Sequence, residues 1–300
     1  MKHLITLKNY SEKEILELIE LAEKIKKNPE NYSERLKGKT LLMLFAKPSL
    51  RTHLSFDVGL YKLAGHAIYY DLSNSPLGKK ESIKDGAKVM SRYVDIIMAR
   101  LYEHKDMENL AKNSNVPIIN GLDNFEHPCQ VLGDLLTIKE KFGKLKGLNL
   151  TYMGDANNNV THSLVYGCAK VGINLIISCP NQKEFLPNEI VFKKNKVKIE
   201  YDPVKAVKNA DIIYTDSWMS YHIPESQMKR RINILKKYQV NGKLFNLNKK
   251  MVFMHCLPAG REYEVTDDVI DSKRSIVYDQ AENRMWIHMA ILLKLLEVKL

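Results

Sequence analysis

Short apolar runs in this chain are followed again and again by side chains that can bind or polarise a substrate. After "TLLMLF" comes Lys47-Pro48-Ser49-Leu50-Arg51-Thr52, and after "DIIMA" comes Arg100. After "VPIING" come His127, Pro128 and Gln130, and after "LTYMG" come Asp155, Asn158 and Asn159. After "DIIYT" come Asp216 and Ser220, and after "MVFMH" come Cys256, Leu257 and Pro258. The first cluster enters a helix, whose N-terminus offers free N–H groups and a partial positive charge. Ser49 and Thr52 add hydroxyls, and Arg51 adds a planar fork that matches phosphate. Two readings of this turn stand side by side: a phosphate cradle, or an N-cap made by Ser49 with Arg51 solvated. It is not a Walker loop, because G-x-x-x-x-G-K-S/T is missing.

The other residues also carry two readings. Arg100 is either a surface arginine or a second cation on the same anion. His127 either caps a helix or polarises a carbonyl, with Gln130 one turn on along the same face. The segment "MGDANNNVTHSL" is strand–turn–helix without G-x-G-x-x-G, so its asparagines read first as caps, as does Asp216. His255 and Cys256 are neighbours on a strand and point to opposite faces, which excludes a direct nucleophile–base pair.

The elements that must position these residues alternate. Ser11 and Glu14 form a capping box before a helix whose apolar face is Ile15, Leu18, Ile19, Ala22 and Ile25. Strands are expected at "TLLMLF", "AIYYD", "VDIIMAR" and "VPIING". Helices are expected at "THLSFDVGLYKLAG", ending at Gly65, and at "SIKDGAKVMSRY", "DMENLAKNS" and "CQVLGDLLTIKEKF". "GKLKGLN" reads as a joint. The alternation then restarts with "LNLTYMG", "NVTHSLVYGCAKVG", "INLIISCP", "KIEYD", "VKAVKNA", "DIIYTD" and "MVFMHC", and a last helix covers "AENRMWIHMAILLKLL". Apolar runs separated by helices imply parallel sheets covered on both faces. The expected fold is α/β, with two doubly wound parallel-sheet domains, and ligands beyond the carboxyl ends of the strands.

Composition narrows the function classes. With 300 residues, 45% hydrophobic and 27% charged, the chain has the makeup of a globular protein large enough to split its core. No apolar run approaches the roughly 20 residues of a membrane span. The start, "MKHLITLKNYSEKE", has no long apolar stretch and turns acidic early, so a cytoplasmic location is expected. The net charge of +11 is spread along the chain without a basic–aromatic groove, which favours attraction of small anions over nucleic-acid binding. The four cysteines, Cys129, Cys168, Cys179 and Cys256, form no C-x-x-C pair, and Cys168 and Cys179 read as reduced, unpaired thiols.

Taken together, the motifs resemble the carbamoyltransferase family, and most closely its ornithine branch. The resemblance covers essentially the whole chain in order. It includes "KPSLRTHLSF", "LGKKESIKDGAKVMSRY", "MARLYEHKDMENLA", "VPIINGLDNFEHPCQVLGDLLTI", "GDANNNVTHSL", "TDSWMS", "HCLPAGREYEVTDDV" and "AENR". It implies transfer of a carbamoyl group from carbamoyl phosphate to an amine, giving a ureido product and phosphate. In that reading Ser49, Leu50, Arg51 and Thr52 hold the phosphate with Arg100, and Arg284 adds charge from the last helix. His127 and Gln130 bind the carbamoyl group. Cys256 and Leu257 place backbone carbonyls near the amide and the attacking amine, ahead of a cis Leu257–Pro258 bond. His127, Arg100 and Cys256 are the implied catalytic residues. Asn159, Asp216, Ser220 and Tyr221 would grip the amino-acid head of ornithine, with Cys256 beside them.

The resemblance also implies a carbamoyl phosphate-binding domain over residues 1–143 plus the returning helix 281–300, and an amino-acid-binding domain over 148–280. It implies a homotrimer, or a multiple of trimers, with active sites at subunit interfaces. No metal or organic cofactor is implied, and no nucleic acid or membrane partner. Three departures stand out. Leu50 and His53 replace the second and fifth residues of the usual Ser-Thr-Arg-Thr-Arg. Pro76 takes the place of Gln or His before "LG", and Ser220-Tyr221-His222 replaces Ser-Met-Gly. The expected acceptor is L-ornithine. The alternatives are putrescine, lysine or an N-acylated ornithine, and, in another class, a non-catalytic anion-binding paralogue.

Overall fold

Each stretch of chain becomes the element its pattern dictates, with the ends decided by local hydrogen bonds. The computed structural model describes residues 2–195, 197–219 and 223–298. The chain forms two compact units, Met1–Leu136 with Glu282–Leu300, and Thr137–Ala281.

In the first unit α1 (Glu12–Lys27) begins at the capping box of Ser11 and Glu14 and buries Ile15, Leu18, Ile19, Ala22 and Ile25. There follow β1 (Thr40–Phe45), α2 (Leu50–Lys62), β2 (His66–Asp71), α3 (Ile83–Met90), β3 (Ile96–Arg100), α4 (His104–Asn113), β4 (Ile118–Leu122) and α5 (Pro128–Phe142). The strands are parallel in the order β2-β1-β3-β4. The order reverses between β1 and β3, so a crevice opens beyond Phe45 and Arg100. Leu42, Leu44, Ile97 and Ala99 build the core on one side of this sheet with Ala87, Met107 and Leu110 from the flanking helices.

In the second unit β5 (Asn149–Met153), α6 (Asn159–Val171), β6 (Asn174–Ser178), α7 (Glu189–Lys194), β7 (Lys198–Ile199), α8 (Pro203–Val207) and β8 (Ile212–Thr215) come first. Then follow α9 (Met228–Leu235), α10 (Gly242–Phe245), β9 (Val252–His255), α11 (Asp267–Ile270) and α12 (Val277–Leu295). The order is β7-β6-β5-β8-β9, all parallel, and reverses between β5 and β8. The turns after Met153 and Thr215 therefore flank the second crevice.

The helix α12 runs from the second unit back into the first. There His288 stacks on Phe56 of α2, Lys26 of α1 bonds Asn283, and Lys294 pairs with Glu17. The two α/β sheets and the returning helix agree with the expected fold.

Several element ends differ from the sequence expectation. The strand at "KIEYD" shortens to Lys198–Ile199 because Asp202 caps α8, accepting the Val204 N–H, with Pro203 opening that helix. The helix α2 stops at Lys62, and the left-handed residue after it is Ala64, with φ 62°, rather than Gly65. Gly65 is needed for closeness instead: a Cβ there would lie 2.4 Å from Leu60 Cδ1. The last helix starts at Val277, earlier than "AENR".

Candidate functional site

In the first unit, β1 delivers the chain to the turn at Lys47–Ser49. Ser49 caps α2, its Oγ accepting the Thr52 N–H at 3.3 Å. The capping reading of this turn is therefore observed. Thr52 is fully buried, and its hydroxyl oxygen receives Arg100 Nη1 and Arg284 Nη2, each at 3.0 Å. Ser49 Oγ is hydrogen-bonded to the same oxygen at 3.1 Å. Three donors, the Ser49 hydroxyl and the two guanidiniums, thus converge on Thr52 Oγ1. Arg284 Nη1 donates to Gln130 Oε1 at 3.0 Å, and Gln130 Nε2 donates to Asp134. Arg100 Nε donates to the Lys47 carbonyl. Ser49, Thr52, Arg100, Gln130 and Arg284 therefore form one hydrogen-bonded cluster. Arg51, half-buried on the first turn of α2, and exposed Leu50 flank it.

The charge of this crevice is read from its effect on neighbours. His127 is buried at the start of α5, and its pKa lies well below the usual imidazole value because of burial, then Arg284 and Arg100. Neutral imidazole keeps one N–H to donate. Burial also lowers the Lys47 pKa to about 8, reinforced by Arg100. The Lys47 ammonium bonds Asn124 and lies over the Tyr102 ring. It links the cradle turn to the loop that carries His127, a role the sequence did not reveal.

That loop is held by Asp123. Its Oδ1 accepts the N–H groups of Phe125 and Glu126 at 2.7 Å each, and its Oδ2 faces His104 Nδ1 and Asn120 Nδ2. The buried Glu126 carboxyl accepts the Leu7 N–H, and burial raises its pKa to about 7.

In the second unit the turn after β5 divides the work of its asparagines. Asn158 is the N-cap of α6, accepting the Thr161 N–H, and its amide donates to Tyr152 Oη and the Asp155 carbonyl. Asn159 is the next residue, half-buried, at the first position of the helix. Asp216 follows β8, where its Oδ1 accepts the Ser217 N–H at 2.7 Å and the Cys256 thiol at 3.0 Å. Strand pairing brings Asp216 and Cys256 close, since Met153 aligns with Thr215 and Thr215 with His255. The Leu257–Pro258 bond is cis. Ser220 and Tyr221, and with them His222, lie outside the described residues.

The loop after Asp216 is tied down by a residue not anticipated from sequence. Arg231 of α9 is buried, pairs with Asp155 and donates through Nε to the Trp218 carbonyl at 3.1 Å. Burial raises the Asp155 pKa, and Arg231 opposes that rise. A buried arginine among surface-patterned residues on a basic helix gives no periodicity signal. Asp216, His255 and Cys256 also bring possible ligand atoms within 4.8 Å of one another, although both His255 ring nitrogens are engaged, with Leu257 N–H and Glu264.

The sequence departures have visible consequences. His53 lies tilted against the Tyr69 ring at 4.6 Å and beside Phe45 and Asp57, on the flank of α2. Pro76 accepts the N–H groups of Lys79 and Glu81 and closes its loop on itself.

Comparison with known proteins identifies the family. Residues 2–140 match the family model described as aspartate/ornithine carbamoyltransferase, carbamoyl-P binding domain. Residues 146–295 match the Asp/Orn binding domain of the same family. The chain is 44% identical over 300 residues to the ornithine carbamoyltransferase of Methanocaldococcus jannaschii, covering 96% of this chain and 97% of that protein. It is 46% identical to the anabolic ornithine carbamoyltransferase of Pyrococcus furiosus, covering 97% of this chain and 95% of that one. The fold superposes on a solved structure of the P. furiosus enzyme with a TM-score of 0.93 at 44% identity, covering 99% and 97% of the two chains. The Giardia lamblia ornithine transcarbamoylase gives 0.90 at 39% identity, covering 98% and 97%. With both halves matched in order and the full length covered, the chain belongs to the aspartate/ornithine carbamoyltransferase family.

Proposed function

We propose that the protein transfers the carbamoyl group of carbamoyl phosphate to the side-chain amine of L-ornithine, giving L-citrulline and phosphate. The observation that carries this reading is the cluster at Thr52, where two buried arginines converge beside a helix N-terminus at a strand-order reversal. Such a site suits a dianionic phosphate. The ornithine carbamoyltransferases to which the chain is similar support the acceptor.

In this mechanism Ser49, Leu50, Arg51 and Thr52, with Arg100 and Arg284, hold the phosphate. Neutral His127 donates to the carbamoyl oxygen, with Gln130 on the carbamoyl group. The uncharged amine attacks the carbamoyl carbon, its lone pair forming the C–N bond. The oxyanion that develops is stabilised by His127 and the arginines. The C–O bond to phosphate then breaks, its electron pair leaves with phosphate, and the proton lost by the amine is taken up by the released phosphate. Orientation of two substrates supplies much of the acceleration. Asn159, Asp216, Ser220 and Tyr221 bind the amino-acid head, and the Cys256 and Leu257 carbonyls face the amide and the amine.

The domain reading is residues 1–143 with 281–300 for carbamoyl phosphate and 148–280 for the amino acid. The assembly is a homotrimer or a multiple of it. Leu50, Leu54, Val58 and Tyr61 expose one apolar stripe on α2, beside the open edge strand β2 with Tyr69 and Tyr70, which favours self-association. Among the described residues no helix is long and apolar enough to cross a membrane, and the reading places the enzyme in the cytoplasm, in arginine metabolism.

The test is citrulline formation with carbamoyl phosphate and, side by side, L-ornithine, L-lysine, putrescine and N-acetyl-L-ornithine. L-Ornithine should have the highest kcat/KM, because an acceptor without the amino-acid head leaves Asp216 and Asn159 poorly satisfied. A preference for another amine would remove ornithine and keep carbamoyl transfer. No ureido product with any amine would leave only the anion-binding paralogue. Light scattering on the same sample tests the trimer.

A further inference from the structure

His255 is the last residue of β9 and is fully buried, yet no step of the mechanism uses it. Its Nδ1 lies 2.8 Å from the Leu257 N–H. A nitrogen that accepts a hydrogen bond carries no proton, so the proton of the neutral ring sits on Nε2. Nε2 faces Glu264 Oε1 at 3.2 Å, and the same oxygen accepts the Gly260 N–H. The backbone N–H of His255 donates to Gln280 Oε1, whose amide donates to Tyr214 Oη, and this fixes the end of β9 rather than the ring. The imidazole itself is held in one tautomer and one orientation by the Leu257 N–H at Nδ1 and Glu264 at Nε2.

What it holds is the backbone of the Cys256–Leu257 turn. Leu257 has φ 57°, a left-handed conformation that a leucine seldom adopts without support. The Cys256–Leu257 peptide is trans, as the cis bond is the next one. In a trans peptide the N–H and the C=O point to opposite sides of the plane. Fixing the Leu257 N–H on the imidazole therefore turns the Cys256 carbonyl away from His255.

We infer that His255, oriented by Glu264, is a positioning residue that aims the Cys256 carbonyl at the reacting groups. This rests on the reading that the Cys256 carbonyl faces the amide and the attacking amine. The competing view is that His255 merely fills the core under the sheet. The two views differ in which substitution restores turnover. Asparagine keeps an acceptor oxygen near the place of Nδ1 but fills less space. Leucine fills the space and offers no acceptor.

The test compares His255→Leu and His255→Asn in the full-length protein by kcat, KM for each substrate, and melting temperature. His255→Leu should lower kcat by about 100-fold, the scale of a small misplacement of a reacting group. His255→Asn should recover to within about tenfold of the unsubstituted enzyme while melting no higher than His255→Leu. Wild-type kcat in His255→Leu overturns the proposal, and so does equal loss in both variants at equal folded fraction. If His255→Leu does not fold, long-range proton–nitrogen spectra of the 15N-histidine-labelled protein decide. A proton on Nε2 and an acceptor Nδ1 sustain the proposal, and a proton on Nδ1 overturns it. Those spectra need no turnover. An inactive unsubstituted protein would therefore count against the proposed function and leave the positioning question separately answerable.

Discussion

Arg100 and Arg284 meet at one atom: each donates at 3.0 Å to Thr52 Oγ1, one from the end of β3 and the other from α12. Burying two like charges side by side is unfavourable until an anion arrives. The Thr52 hydroxyl keeps both forks in register. Thr52→Val preserves the shape and removes the acceptor. It should raise KM for carbamoyl phosphate by about 10- to 100-fold, the equivalent of a hydrogen bond to a charged group. Steady-state kinetics at saturating ornithine reads this, and an unchanged KM would refute the shared-acceptor role.

Arg51 is half-buried on the first turn of α2 and carries little of the fold. Arg51→Ala should cost about 100-fold or more in kcat/KM for carbamoyl phosphate, since in the proposed mechanism its charge-assisted fork acts on both substrate and leaving group. The melting temperature should stay within a few degrees, on the scale of surface substitutions. Near-normal kinetics would return Arg51 to the solvent.

In the proposed mechanism His127 is a neutral donor to the carbamoyl oxygen, so its loss should fall on kcat. His127→Ala should lower kcat by about 100- to 1,000-fold and change KM for carbamoyl phosphate much less. Burial and the two arginines hold its pKa well below 6.5, so the imidazole charges only in more acidic solution. The kcat profile of the unsubstituted enzyme should therefore show no acid limb from His127 near pH 6.5. An early-melting variant that turns over normally would make His127 a helix cap alone.

Glu126 carries a pH-dependent liability. Its folded pKa, about 7, lies above the ordinary carboxyl value of 4.5 because of burial. The folded state thus holds a proton the unfolded chain has released, and stability falls as pH rises from about 4.5 through about 7. Glu126→Gln should flatten that slope and stabilise the protein above pH 7 by at most about 3 kcal/mol. Denaturant unfolding at several pH values checks it, and parallel curves for the two proteins would show that Glu126 does not titrate there.

Asp216 sits between the Ser217 N–H and the Cys256 thiol. Asp216→Asn removes the counter-charge for an ammonium head. It should raise KM for L-ornithine by about tenfold or more and leave that for carbamoyl phosphate unchanged. Equal effects on both substrates would mean that Asp216 shapes the site as a whole.

Much of this was legible in the chain because each strand end carries its own polar cluster. Apolar runs of strand length, helices between them and polar residues after them specify two parallel sheets and say where ligands sit. The motif around Ser49–Thr52, His127 with Gln130, and Asp216 could be picked out for the same reason: their types and their distance from a strand end are local facts. The capping box of α1 and the cap at Ser49 are local too, and both form as the sequence requires.

Only the tertiary structure decided which of these residues share an atom. Thr52 and Arg284 are 232 positions apart, and their contact exists because α12 folds back onto the first unit. Arg231 on Asp155, Lys47 on Asn124 and Asp123 under the His127 loop are long-range or loop-specific pairs that leave no period in the sequence. The same holds for His255. Strand alternation excluded it from pairing with Cys256 side chain to side chain, yet the left-handed turn at Leu257 brings the backbone N–H to its ring. Periodicity reports which face a residue takes, whereas hydrogen bonds between distant segments depend on how the chain packs. That packing converts a row of strand-end residues into a cluster able to do chemistry.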